Sequence, residues 1–171
     1  LLPWKKKVDF FLRGYQEAKK TANGRIPVLL GMELRFRTSE GENDYLVYGI
    51  NENFLYNTPD LLNMNIKTFY ELAHKNGFLV FQAHPFRFGM KVTNPKFLDG
   101  IEIFNGNPRH NSNNDIAEIW AKKYELLVTS GSDYHELEDL GTGGIWFNKE
   151  ITDNKTLIEE LTKSEYRIKK I

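Results

Sequence analysis

After Pro3, the apolar residues Val8, Phe11, Leu12, Tyr15 and Ala18 recur every three or four positions with lysines on the other face. That spacing predicts an amphipathic helix, ended by Asn23-Gly24. Ile26 to Leu34 is then an apolar run of strand length whose one ionisable group is Glu33, which predicts a buried strand. A polar loop over Ser39-Glu40-Gly41-Glu42-Asn43 separates it from a strand at Tyr45 to Ile50. Ile66, Phe69, Tyr70 and Ala73 mark a helix face closed by Asn76-Gly77, ahead of a strand at Phe78 to Ala83. Further strands are predicted at Ile101 to Phe104, Leu126 to Thr129, Ile145 to Phe147 and Arg167-Ile168, with helices over Asn113 to Tyr124 and Lys155 to Lys163. This alternation predicts parallel strands with helical crossovers, in an α/β barrel or a doubly wound sheet. Nothing in it suggests a repeat or a linker, so residues 1–171 are expected to form a single domain.

Composition narrows the chemistry. With 23 basic and 23 acidic side chains the formal net charge is zero, which weakens any reading built on a basic nucleic-acid footprint or an anionic membrane surface. There is no cysteine, so disulfides, thiolate zinc sites and thiol nucleophiles are excluded, and reactivity must come from oxygen and imidazole. No apolar run approaches the roughly 18–20 residues of a membrane span, and the first residues lack the layout of a signal peptide. A cytoplasmic protein without membrane contact is therefore expected.

In parallel α/β architectures chemistry gathers at the C-terminal ends of the strands. Glu33 ends the first predicted strand, His84 follows the third, Asn105 ends the fourth, and Asp133 and His135 follow the Leu126 to Thr129 strand. Imidazole and carboxylate at one rim suit Zn²⁺, Mn²⁺ or iron. In Asp133-Tyr134-His135 the outer residues point the same way if extended, so both can reach one ion. Each residue also has a plainer reading: Asp133 as a turn or N-cap acid, His84 as a hydrogen-bonded loop histidine. Glu33 is harder to set aside, because a buried carboxylate without a partner is costly. His74, inside a helix beside Lys75, reads as a solvated surface residue, and His110 stays undecided.

The order Gly31-Met32-Glu33, Ala83-His84-Pro85, Gly100-Ile101-Glu102-Ile103-Phe104-Asn105 and Gly131-Ser132-Asp133-Tyr134-His135 resembles the PHP (polymerase and histidinol phosphatase) superfamily of metal-dependent phosphoesterases. The closing Gly141-Thr142-Gly143-Gly144-Ile145-Trp146-Phe147 is also similar to the end of that domain. The resemblance implies a distorted TIM-like (β/α)7 barrel with two or three divalent metal ions (Zn, Mn or Fe). It implies Glu33 as a bridging carboxylate and His84, Asp133 and His135 as ligands. Asp44 stands where several relatives carry a ligand histidine, and Asn105 falls at a rim position suited to hydrogen bonding. The family's His-x-His and Asp-His motifs do not occur in the chain, so the first β-α-β segment of the fold is absent from it. The expectation is that such a segment precedes Leu1 in the full protein; without it the four residues would be half a site.

The function expected on this basis is hydrolysis of a small phosphate ester by a metal-activated hydroxide, with Glu33, Asp133 and Arg87 in the catalytic machinery. A phosphate needs a positive clamp, for which Arg87 stands first, then Arg35 and Arg37, with Lys91 behind them. Two rivals stand beside it: a metal- or ligand-binding module without turnover, and a PHP-type nuclease or proofreading domain, against which the neutral charge tells.

Overall fold

The computed structural model describes residues 2–38 and 42–170. Ser39, Glu40 and Gly41 of the expected polar loop lie outside the described residues.

Helix α1 (Trp4–Ala22) buries Val8 and Leu12 and stops at Asn23, whose φ of 46° is left-handed. The strands β1 (Met32–Arg35), β2 (Asp44–Tyr48), β3 (Leu79–Gln82), β4 (Gly100–Asn105) and β5 (Leu127–Gly131) form one sheet in that spatial order. Between β2 and β3 lie α2 (Glu52–Tyr56) and α3 (Ile66–Lys75), and α4 (Asn114–Lys123) crosses from β4 to β5. The strands β6 (Gly143–Phe147) and β7 (Tyr166–Lys170) make a separate antiparallel pair, with α5 (Asn154–Lys163) between them in sequence. Asparagine side chains start two of the helices: Asn51 accepts from the Phe54 N–H and Asn65 from the Thr68 N–H, each at 2.9 Å.

Two expectations are corrected. The (β/α)7 barrel is not formed: the sheet is open and mixed, with β1 and β2, and β2 and β3, antiparallel, and only β3, β4 and β5 parallel. Eight residues separate Arg35 from Asp44. A parallel return needs a crossover of roughly a dozen residues or more, and a connection this short turns β2 back along β1. Nor does the whole run from Ile26 to Leu34 become strand. Of this run only the residues from Met32 on join a strand, Met32–Arg35; the chain before it leaves Ile26 exposed and has the Leu30 carbonyl capped by the Asn154 amide at 3.2 Å.

The two faces of the sheet differ. Met32, Leu34, Tyr45, Val47, Val80, Ile101 and Ile103 point into the core with the helices. The register puts Glu33, Leu46, Phe81, Glu102 and Thr129 on the opposite face. There Tyr48 meets Phe81 edge-on at 5.2 Å and shares a 2.9 Å hydrogen bond with Thr129 across the sheet. That second face, at the end where β1, β3, β4 and β5 finish and β2 begins, carries the polar cluster.

Candidate metal centre

Because β2 runs against β1 and β3, its first residue Asp44 lies beside Arg35 at the end of β1 and the Ala83 that follows β3, whose N–H it receives at 2.9 Å. His84 comes next in the chain, 4% exposed and held at a φ of 28°, a left-handed value that is strained for a residue with a side chain. Its N–H is fixed by Glu102 at 3.0 Å and its carbonyl accepts from the Arg87 N–H at 3.1 Å. This turn aims the imidazole back across the sheet edge. His84 Nε2 stands 3.6 Å from a Glu33 oxygen and 3.7 Å from an Asp44 oxygen.

Among the described residues, Glu33, Asp44 and His84 form one group whose donor atoms all lie within 4.8 Å of one another. The spacing suits a shared cation. Donors bound to one tetrahedral ion lie about 3.4 Å apart, whereas 3.6 and 3.7 Å is too long for hydrogen bonds. His84 Nδ1 is buried with no partner, so the ring's two nitrogens are not engaged by the protein. One nitrogen and two carboxylates are a donor set that Zn²⁺, Mn²⁺ and Fe²⁺ all accept. Glu33 is half exposed, which leaves the cluster open to solvent.

Beside the cluster is a cavity of about 180 Å³ whose lining includes Glu33, Tyr48, His84, Glu102, Asn105 and Asp133. Asp133, also at a left-handed φ of 48°, accepts from Arg87 at 2.8 Å and from the Asn105 amide at 3.2 Å. Burial alone would raise its carboxyl; the Arg87 guanidinium and the Asn105 amide outweigh that and hold it below the usual carboxylate range. Glu102 goes the other way. Burial pushes it up to about 7 although Asn105 and the His84 N–H both donate to it.

The cavity and cluster thus bring together Glu33, Asp44, His84, Asn105 and Asp133, with Arg87 reaching in through Asp133 and steadied by Ser112 at 3.2 Å. His135 does not line the cavity: it is exposed, with Nδ1 2.8 Å from the Asp133 carbonyl. Its backbone is set by Asp139, which takes the N–H groups of both His135 and Glu136 at 2.8 Å. Arg35 forks onto Asp44 with two 2.7 Å hydrogen bonds, and this bond holds its guanidinium above the ordinary arginine range. Arg37 is exposed and outside the cavity lining, and Lys91 is tied through its backbone to Asn43 and Gln82. His74 is exposed and pairs with Asp99 at 2.9 Å, and His110 is exposed.

Glu102 was not among the expected site residues. The sequence carried a signal for it all the same: in Gly-Ile-Glu-Ile-Phe it is a lone acid inside an apolar strand, the feature that marked Glu33.

Comparison with known proteins bears on the fold and on the C-terminal part of the chain. Residues 111–166 match the sequence family described as PHP-associated. PsfC from Pseudomonas syringae has a similar fold, with a TM-score of 0.65 and 16% identity over 82% of this chain, which spans 58% of the PsfC chain. A "putative metal-dependent phosphoesterase" from Bifidobacterium adolescentis gives a TM-score of 0.54 at 16% identity, covering 88% of this chain and 82% of that one. No curated protein matches the sequence. The resemblance to the PHP superfamily is borne out by the PHP-associated match, which contains the last of the four motifs, Gly131 to His135; the two solved structures share the fold. Among the described residues no helix is long and apolar enough to cross a membrane.

Proposed function

We propose that the chain carries the cation-binding rim of a metal-dependent phosphoesterase that hydrolyses a small phosphate ester. The observation that carries this reading is the convergence of Glu33, Asp44 and His84, two of which, Glu33 and His84, also line a cavity with Glu102, Asn105 and Asp133. A bound divalent cation would supply Lewis acidity, letting water ionise near neutral pH and offsetting charge on phosphoryl oxygens. Glu33, Asp44 and His84 hold that cation, and Asp133, kept ionised by Arg87 and Asn105, is the carboxylate available for a second one. His135, whose Nδ1 is engaged by the Asp133 carbonyl, has Nε2 left as its ligating nitrogen. Zn, Mn and Fe all fit the donor set, and two or three ions remain the proposal. Arg87, whose guanidinium lies at the Asp133 side of the cavity, clamps the phosphate, and Asn105 donates from its amide.

One feature supports the alternative of a metal-binding module without turnover. Arg35 and Arg87, the two best phosphate clamps, are both engaged by acids of the site. Metal analysis combined with turnover of p-nitrophenyl phosphate in Mn²⁺ separates the readings. Hydrolysis that disappears in His84→Ala supports the phosphoesterase; bound metal without hydrolysis supports the module; no bound metal refutes both.

A further inference from the structure

We propose that Arg35 is a displaceable internal counter-ion of Asp44, competing with the divalent cation for that carboxylate and, once displaced, taking an anionic oxygen of a phosphate. The inference rests on the reading of Glu33, Asp44 and His84 as a cation site. The same Asp44 Oδ2 that lies 3.7 Å from His84 Nε2 accepts from Arg35 Nη2 at 2.7 Å, while Oδ1 accepts from Nε at 2.7 Å. Both carboxylate oxygens are therefore occupied by one guanidinium in a forked pair.

The two partners are unequally free. The Asp44 side chain is 9% exposed and its residue is anchored by the Ala83 N–H, whereas the Arg35 side chain is 53% exposed. Arginine can swing into water; aspartate cannot follow. Charge gives the direction of the exchange. Two carboxylates against one guanidinium leave the cluster with one unbalanced negative charge when His84 is neutral, and a divalent cation reverses that to one positive charge. A guanidinium beside a newly arrived cation is repelled by it, and an anion is attracted to both. Cation binding thus precedes and promotes phosphate binding, with Arg35 as the coupling group.

The test is Mn²⁺ binding by calorimetry to metal-stripped wild type, Arg35→Met, Arg35→Lys and Arg37→Met. Removing the competing charge tightens Mn²⁺ binding about tenfold in Arg35→Met, a partly exposed pair being screened well below its buried limit. Arg35→Lys, which keeps the charge and loses the fork, tightens less. Arg37→Met, an exposed arginine two residues on, stays within about twofold. Inorganic phosphate then binds Mn²⁺-loaded wild type more tightly than Mn²⁺-loaded Arg35→Met. Unchanged or weaker Mn²⁺ binding by Arg35→Met, with wild type still binding, overturns the proposal, since the guanidinium would then be steadying Asp44 for the ion. Absence of Mn²⁺ uptake by both wild type and Arg35→Met overturns the cation site itself and this inference with it. If Arg35→Met does not fold, Arg35→Lys is compared with wild type instead: tighter Mn²⁺ binding supports the competition, and unchanged or weaker binding overturns it.

Discussion

Gly100→Ala adds one methyl group where β4 begins, and the structure leaves no room for it. A Cβ there would lie 2.2 Å and 2.5 Å from the Phe81 ring and 2.4 Å from the Leu127 carbonyl oxygen. The Gly100 backbone is not in the left-handed region, so the penalty is one of space alone. Contacts with the ring must open by about 1.0–1.8 Å to reach normal carbon separations of about 3.5–4.0 Å. The ring cannot yield, being fully buried and set edge-on against Tyr48, whose hydroxyl is bound to Thr129. The carbonyl belongs to the strand paired with β4. Overpacking of this kind costs about 1–3 kcal/mol and more where backbone must move, so a loss of roughly 3 kcal/mol is expected. Gly14→Ala provides the opposite sign in the same chain. It sits within α1 with nothing within 4 Å, and alanine there stabilises by about 0.5–1 kcal/mol. Urea unfolding of the two variants and wild type reads both numbers, and the melting temperature of Gly100→Ala falls by about 10 °C. If Gly100→Ala unfolds within about 1 kcal/mol of wild type with the same denaturant slope, Phe81 does not lie over β4 as described.

Two further outcomes are expected. Arg87→Ala leaves the largely buried Asp133 with Asn105 alone; it lowers stability by roughly 3 kcal/mol in urea unfolding and impairs phosphate ester turnover while Mn²⁺ content stays at the wild-type level, and loss of the metal would contradict its assignment as a phosphate clamp. Asp139 is held well below the usual carboxylate range by Arg109 at 2.5 Å and by the N–H groups of His135 and Glu136, so its contribution is present above about pH 4 and is lost as pH falls through its lowered folded value. Asp139→Asn should therefore destabilise at pH 7 and make thermal stability fall less steeply below pH 4 than in wild type; parallel pH profiles would refute the assignment.

The helices and strands were legible where a periodic pattern coincided with a stop signal. Asn23-Gly24 and Asn76-Gly77 end α1 and α3 close to where the structure ends them. What did not read through was pairing. Ile26 to Gly31 is as apolar as any strand, yet a strand exists only beside a neighbour, and local composition holds no trace of whether one is there. The α2 helix escaped for a related reason, since five residues offer too little periodicity and its start rests on the Asn51 cap. Asp44 and Glu102 are the instructive pair among the site residues. Glu102 could have been found by the argument that singled out Glu33.

Asp44 follows from a length. Eight residues cannot carry the chain from the end of one strand to the far end of a parallel neighbour, so the strand after the loop must start at the rim where β1 finishes. The first residue of β2 then stands where the last residues of the parallel strands also arrive. An acid at that position sits across from Arg35 in the ladder and within reach of the histidine that follows β3. Had β2 run parallel to β1, Asp44 would stand at the opposite end of the sheet, away from Glu33 and His84. The antiparallel turn of β2 is therefore what completes the three-donor cluster.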